Sequence, residues 1–305
     1  MLIKVLGSAA GGGFPQANCN CRNCAGVRDG KPGLGRRTQS SVAVSADGAS
    51  WLLLNASPDI RQQIEATPAL QPRPGQALRS SPIAAVALTN GDIDHVAGLL
   101  SLREGLRFSM FASARVLEAL AGNPIFNALA PEHVRRVALP VEEKVDAAPG
   151  LAIEAFDVPG KIALYLENAA AGPTLGTQAG DTLGLKLVDT STGAAFFYIP
   201  GCADVDAALA RRLKGARLVL FDGTLYTDNE MIAMGLSTKT GKRMGHISMS
   251  GEDGSLAAFR ALGVQQRVFV HLNNSNPVLR EDSPERAEVE RAGWEVAFDG
   301  MEIRL

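Results

Sequence analysis

Short apolar runs recur along the chain at residues 2–6, 41–44, 51–55, 83–89 and 151–158, and again at 183–189, 194–199, 218–222, 267–271 and 294–298. Their length and their content of Val, Ile, Leu and Phe predict strands. Between many of them, residues 96–104, 114–121, 205–214, 255–262 and 284–292 carry apolar side chains at the spacing of a helix with one buried face. Strands alternating with helices predict an α/β class in which helices cover sheet faces. Ser283 ahead of Pro284, with Gly293 after the last periodic residue, marks both ends of one helix, and Ser113 ahead of Ala114 marks the start of another. Residues 71–75, with two prolines, and residues 168–181, rich in Ala and Gly, read as loops, the second long enough for either a lid or a disordered stretch. Neither an internal repeat nor a boundary divides the pattern, so a single domain is expected over residues 1–305.

A chain of 305 residues that is 46% hydrophobic buries a large core without help. Its net charge of -2 and the lack of a dense Lys/Arg cluster argue against a nucleic-acid partner or an anionic membrane surface. The apolar stretch at the start is far shorter than a signal-peptide core, and no later run approaches ~20 apolar residues. The expected compartment is the cytoplasm, without membrane insertion.

Charge thus narrows little, but the cysteines narrow a good deal. Cys19, Cys21 and Cys24 lie within six residues, after the turn-rich Gly11-Gly12-Gly13-Phe14-Pro15. That clustering is unlike a dispersed disulfide framework, and in a reducing compartment it points to a closed, structural zinc site with a fourth ligand from elsewhere. Cys202 stands alone and reads as a small buried side chain. The glycine-rich stretch 7–13 lacks the Gly-Lys-Ser/Thr ending of a phosphate loop and reads as a tight reversal before the cysteine clip.

A second candidate site follows the run at 83–89. The loop Thr89-Asn90-Gly91-Asp92-Ile93-Asp94-His95 would emerge at the carboxyl edge of a sheet, where α/β proteins place ligand sites. Two readings satisfy it: Asp94 capping the helix that follows, or both carboxylates and His95 facing a cation. Other strand ends add chemistry to the second reading. His271 ends one strand, Asp222 ends another, and His246 lies on a loop in Gly245-His246-Ile247-Ser248.

The order of Thr-x-x-x-x-Asp-His, Asp222-Gly223-Thr224, Gly245-His246-Ile247-Ser248 and Val270-His271-Leu272 resembles the metallo-β-lactamase superfamily. The opening Leu6-Gly7-Ser8 with Cys-x-Cys-x-x-Cys, the stretch Asn55-Ala56-Ser57-Pro58-Asp59, and His271-Leu272-Asn273-Asn274-Ser275-Asn276-Pro277 narrow the resemblance. They are similar to the coenzyme PQQ synthesis protein B family, of the route to pyrroloquinoline quinone, and the similarity runs from residue 1 to Phe298-Asp299-Gly300-Met301. The resemblance implies a four-layer αββα sandwich with a metal site along one edge, between two sheets. The superfamily's loop is His-x-His-x-Asp-His. Here Asn90 and Asp92 replace its first two histidines, while Asp94, His95 and His271 match ligands. The middle histidine has no counterpart near Asp157-Val158-Pro159-Gly160, and Tyr198-Ile199-Pro200-Gly201 stands where the bridging aspartate belongs.

With about half the ligands gone, tight binding of two zinc ions is not expected, and ordinary two-metal hydrolysis is the weaker reading. Two imidazoles and one carboxylate with open positions describe a non-haem iron(II) oxygenase site, from His95, His271 and either Asp92 or Asp94. The favoured catalytic metal is Fe2+, with Mn2+, Zn2+ or Cu2+ able to substitute. Asn90 and Asp222 would line the cleft, and His246 would move a proton or orient substrate. The resemblance implies hydroxylation of the tyrosine ring of a cross-linked Glu-Tyr precursor, with dioxygen and a reductant, or else a carrier role for the coenzyme or its precursor. Arg61, Lys239 and Arg243 are candidate cations for such a substrate by position. Asn274 is the candidate fourth ligand of the clip, which spans about residues 14–35 and is expected to shape a homodimer contact.

Overall fold

The computed structural model describes residues 1–166 and 178–305; residues 168–177 of the expected loop or lid lie outside the described residues. In chain order the strands are β1 (Leu2–Gly7), β2 (Ser41–Ser45), β3 (Trp51–Leu54), β4 (Ile83–Ala87), β5 (Phe108–Ala112), β6 (Val134–Ala138) and β7 (Lys144–Ala148). They continue as β8 (Leu151–Asp157), β9 (Leu183–Asp189), β10 (Ala195–Ile199), β11 (Leu218–Asp222), β12 (Gln266–Val270), β13 (Glu295–Val296) and β14 (Glu302–Arg304). One seven-stranded sheet has the order β14-β1-β2-β3-β4-β5-β6, and the other β13-β12-β11-β10-β9-β8-β7. Pairing is antiparallel from β14 to β3 and from β7 to β10, and parallel from β3 to β6 and from β10 to β13.

The two-residue period of a strand sends alternate side chains to opposite faces, and both faces here are covered. On β3, Leu52 and Leu54 meet Leu183, Leu185 and Leu187 of β9 in the layer between the sheets. Trp51 and Leu53 face outward onto Ile60, Val96 and Val116 of the flanking helices. On β12, Val268 and Val270 point inward, whereas Phe269 packs outward with Phe221, Phe259 and Trp294. Each such buried aliphatic side chain contributes roughly 1.5–3 kcal/mol relative to exposure. The result is helix, sheet, sheet, helix: the expected four-layer αββα sandwich.

All ten predicted strands are present, but β5, β6, β7 and β14 were not anticipated from the pattern. The last three form sheet edges, and the polar, partly exposed Val-Arg-Arg-Val-Ala of β6 and Lys-Val-Asp-Ala-Ala of β7 carry too few apolar positions to register as strands. The helix expected at 96–104 becomes one helical turn at Ile93–Val96 followed by a 3₁₀ helix at Ala97–Leu102. Gly98 is clamped there: its N–H donates to the Ala56 carbonyl at 2.9 Å, and a Cβ would lie 2.0 Å from the Ser57 carbonyl oxygen. The Ala56 N–H donates to the His95 carbonyl at 2.8 Å, so this clamp fixes the loop that carries Asp94 and His95. The caps at Ser113 and Ser283 are made, accepting from the N–H of Val116 and Arg286.

Candidate metal cleft and cysteine clip

The loop after β4 is held from below. Asn55, in the left-handed region at φ 61° at the end of β3, accepts the Thr89 N–H at 2.9 Å. Asn90 Oδ1 accepts the Asp92 N–H at 3.0 Å and lies 2.7 Å from His95 Nδ1. An amide oxygen only accepts, so the His95 proton belongs on Nδ1 and Nε2 is left bare. That Nε2 is buried and has no hydrogen-bond partner. Asp94 Oδ2 lies 3.9 Å from it and 3.0 Å from His271 Nε2. Ligand atoms of Asp94, His95 and His271 all fall within 4.8 Å of one another.

The two loop carboxylates part company. Asp92 stands at the N-cap position but makes no capping bond, and its two oxygens sit 2.9 and 3.0 Å from the ammonium of Lys161. Asp94 is inside the helical turn, facing the imidazoles, so it is not the cap that the alternative reading required. Lys161 is the ion-pair partner of Asp92. The glycine-rich turn after β1 closes over the same place: a Cβ at Gly11 would lie 3.4 Å from the Asp94 carboxylate.

On the second sheet, Asp222 is fully buried at the end of β11 and accepts from four donors. Its Oδ2 takes the Cys202 N–H at 2.9 Å and faces His246 Nδ1 at 2.8 Å; its Oδ1 takes the Thr224 N–H at 3.0 Å and the Thr224 hydroxyl at 2.6 Å. With that proton given to Asp222, the Thr224 oxygen accepts from His271 Nδ1 at 2.9 Å. His271 Nδ1 is thereby held as an N–H, which leaves Nε2 as the ligating atom once the proton it shares with Asp94 is displaced. Its backbone is left-handed, φ 60°, which turns the ring off the end of β12 into the cleft. Asp222, His246 and His271 also place ligand atoms within 4.8 Å, but the Thr224 hydroxyl lies 2.9 and 3.0 Å from the two Nδ1 atoms, making this a hydrogen-bond hub rather than an ion position. His246 stacks on His271 with ring centroids 5.2 Å apart and also lines a surface cavity of about 710 Å³ with Asp204, Thr227, Asp228 and Ser248.

Charge follows the geometry. Burial opposes ionisation of Asp94, yet the imidazoles of His95 and His271 hold its carboxyl well below the usual range. Burial pushes His95 down to about 4. Burial acts downward on His271 as well, but its hydrogen bond to Asp94 and the charge of that carboxylate lift it above the ordinary histidine value. A cation held by Asp94, a neutral His95 and His271 would have one proton to displace, the one shared by Asp94 and His271.

The cysteine clip closes against the loop that follows His271. Cys21 caps the helix Arg22–Arg28, its sulfur accepting the Cys24 N–H. Asn274 Nδ2 lies 3.1, 3.7 and 3.4 Å from the sulfurs of Cys19, Cys21 and Cys24. The three sulfurs lie within 4.8 Å of one another, compatible with the ~3.8 Å edge of a tetrahedron built on ~2.3 Å zinc–sulfur bonds. Rotating the Asn274 amide puts its oxygen in the fourth position. Asn23 Nδ2 donates to the carbonyls of Asn274, Ser275 and Asn276, tying helix to loop. Burial pushes the Cys24 thiol up to about 11; for Cys21 it acts the same way, but the Cys24 N–H and neighbouring groups lower it overall. Cys202 is buried with its thiol 2.9 Å from the Asp204 carbonyl, as expected for a small core side chain. Among the described residues no helix is long and apolar enough to cross a membrane.

The family model described as a beta-lactamase superfamily domain matches residues 50–272. Over 305 residues, covering both chains in full, the protein is 52% identical to coenzyme PQQ synthesis protein B of Methylobacterium sp. (strain 4-46) and 52% identical to that of Xanthomonas oryzae pv. oryzae (strain MAFF 311018). The chain belongs to the coenzyme PQQ synthesis protein B family. A crystal structure of Zn(2+)-bound PqqB from Methylobacterium extorquens matches with a TM-score of 0.96 at 50% identity, each chain covered in full. A diphosphatase of the PhnP family, 19% identical with a TM-score of 0.68 over 99% of this chain and 96% of that one, shares the fold.

Within this family member, Asp94, His95 and His271 meet at one point, with Asn90, Asp222 and His246 behind or beside them. Asp92 is drawn aside by Lys161. Sequence reasoning missed Lys161, Thr224, Thr89 and Asn55 as site residues. Thr224 had a signal, a hydroxyl two residues after a strand-end carboxylate; Lys161 had none, since it reaches Asp92 across 69 residues.

Proposed function

We propose that this protein acts in the biosynthesis of pyrroloquinoline quinone, and that its cleft is a one-metal, iron-dependent site that hydroxylates the tyrosine ring of a cross-linked glutamate–tyrosine precursor. The observation that carries the site is the buried, unpartnered Nε2 of His95, facing Asp94 Oδ2 and His271 Nε2. Two imidazoles and one carboxylate suit non-haem iron(II), which supplies dioxygen activation when bound. The pathway rests on full-length relatives named coenzyme PQQ synthesis protein B.

In this reading Thr224 and Asn90 set the tautomers of His271 and His95, and Lys161 neutralises Asp92. His246, its Nδ1 held by Asp222, lines the surface cavity and accepts the phenol proton or orients the ring. One oxygen atom enters the C–H bond of the ring; the other leaves as water, with two electrons from an external reductant and two protons. The cysteines and Asn274 hold a structural zinc that fixes the loop behind His271. Residues 1–305 act as one domain, and the clip contributes to a homodimer contact in the cytoplasm.

The test is incubation of protein purified without oxygen with Fe2+, a reductant, the diamino-acid precursor and isotopically labelled dioxygen. A product carrying one labelled oxygen per hydroxylation is expected, and His271→Ala should abolish it. Tight binding of the coenzyme with no turnover by metal-loaded protein would replace the enzyme by a carrier.

A further inference from the structure

Lys161 occupies the cleft in a way that the chemistry of Asp94, His95 and His271 does not require. Its ammonium bridges both oxygens of Asp92 at 2.9 and 3.0 Å, and the pair is largely sequestered, at 12% and 22% side-chain exposure. The stem lies over Gly245, where a Cβ would come within 2.8 Å of Lys161 Cγ, immediately before His246. The Lys161 carbonyl accepts the Thr182 hydroxyl at 3.1 Å, anchoring this turn to the start of β9 in the second sheet. A compact cation is therefore wedged between the 90–95 loop and the His246 turn. Asn90 Nδ2 reaches Asp92 Oδ2 at 3.3 Å, so both Asp92 oxygens already have partners.

The charges are informative as a set. Asp92, Asp94 and Asp222 bring three carboxylates to the cleft, which one ammonium and one divalent ion neutralise. With Lys161 in place, a second divalent ion meets a like charge and a carboxylate both of whose oxygens already have partners. Without it, Asp92 is a free oxygen ligand in a cleft of net negative charge, the setting that divalent ions select.

We infer that Lys161 limits the cleft to one metal ion, its ammonium filling the place beside Asp92 that a second divalent cation would otherwise take. This rests on reading the Asp94–His95–His271 cluster as a metal site. The consequence is functional: a one-metal cleft keeps open coordination positions, whereas a two-metal clamp serves in-line hydrolysis.

The test counts Mn2+ bound to full-length protein whose clip zinc has been retained, by elemental analysis and electron paramagnetic resonance. Wild type is expected to bind one Mn2+ per chain outside the clip. Lys161→Met, which keeps the stem over Gly245, is expected to bind a second at least tenfold more tightly than wild type does, with line broadening from the neighbouring ion. Lys161→Arg should stay at one, and Lys161→Met with Asp92→Asn should return to one. A Lys161→Met protein that still binds a single ion at unchanged affinity overturns the inference alone. Two tightly bound ions in the wild-type cleft also overturn it. No ion outside the clip in any variant overturns the metal-site reading together with it. Should Lys161→Met fail to fold by circular dichroism, Asp92→Asn decides: an unchanged count of one supports the inference, and loss of the ion shows Asp92 to be a ligand and refutes it.

Discussion

Thr224→Val is the sharpest perturbation of the cleft, because it changes one hydroxyl to a methyl at nearly constant volume. The hydroxyl donates to Asp222 Oδ1 at 2.6 Å and accepts from His271 Nδ1 at 2.9 Å. Asp222 keeps three donors, the N–H groups of Cys202 and Thr224 and His246 Nδ1, so it remains satisfied. His271 Nδ1 does not: its remaining choices are an unsatisfied buried N–H, at ~1–3 kcal/mol, or a shift of the proton to Nε2, the atom that faces Asp94. Either outcome weakens the proposed metal site. Loss of an outer partner of a ligating histidine costs ~10–100-fold in metal affinity, or about 1.4–2.7 kcal/mol. At metal concentrations ~100 times the wild-type Kd, wild type gains ~2.7 kcal/mol of stability, whereas the variant gains only ~0.4–1.4 kcal/mol. Calorimetric titration of Mn2+ into clip-loaded protein, together with urea unfolding with and without the metal, measures both terms. Thr224→Ser keeps the hydroxyl and should bind within threefold of wild type. A valine variant that binds as tightly as wild type, or a serine variant that behaves like valine, refutes the proton assignment at His271.

Three further outcomes are expected. His95→Ala and His271→Ala should each weaken the cleft ion by at least ~100-fold while clip zinc and far-ultraviolet circular dichroism stay unchanged; joint loss of both metals in elemental analysis contradicts the separation of the two sites. Because Asp94 raises His271 above its unfolded value, the ring is protonated in metal-free protein below that raised value, and metal must displace the proton; Mn2+ affinity should thus rise with pH up to a plateau above the ordinary histidine range, and a flat profile between pH 6 and 8 contradicts the pairing. Asn274→Ala should lower clip zinc affinity by ~10–100-fold, and Cys19→Ser should release the zinc altogether; if the latter sediments with the same oligomeric state as wild type, the clip has no part in the proposed subunit contact.

Much of the architecture was legible because the side-chain period of each core strand is written in consecutive residues. Leu52 and Leu54 against Trp51 and Leu53, or Val268 and Val270 against Phe269, announce strands with two covered faces. The chain itself also grouped Cys19, Cys21 and Cys24, set Asp94 beside His95, and carried the stretches that resemble its family. Edge strands β6, β7 and β14 escaped because their formation depends on a paired neighbour rather than on apolar content.

Which loop carboxylate faces the imidazoles was decided only by the tertiary structure. Asp92 and Asp94 are chemically identical and two residues apart, and the choice falls to Lys161, 69 residues from Asp92, and to His271, 177 residues from Asp94. The same holds for Asn274, which meets Cys19 across 255 residues. Local periodicity encodes which face of an element is buried; it carries no information about which strand ends stand side by side. Loop-closure entropy grows only slowly with separation, so chain distance alone scarcely discriminates between partners. Sheet order and register do discriminate, and they are properties of all the strands among the described residues at once.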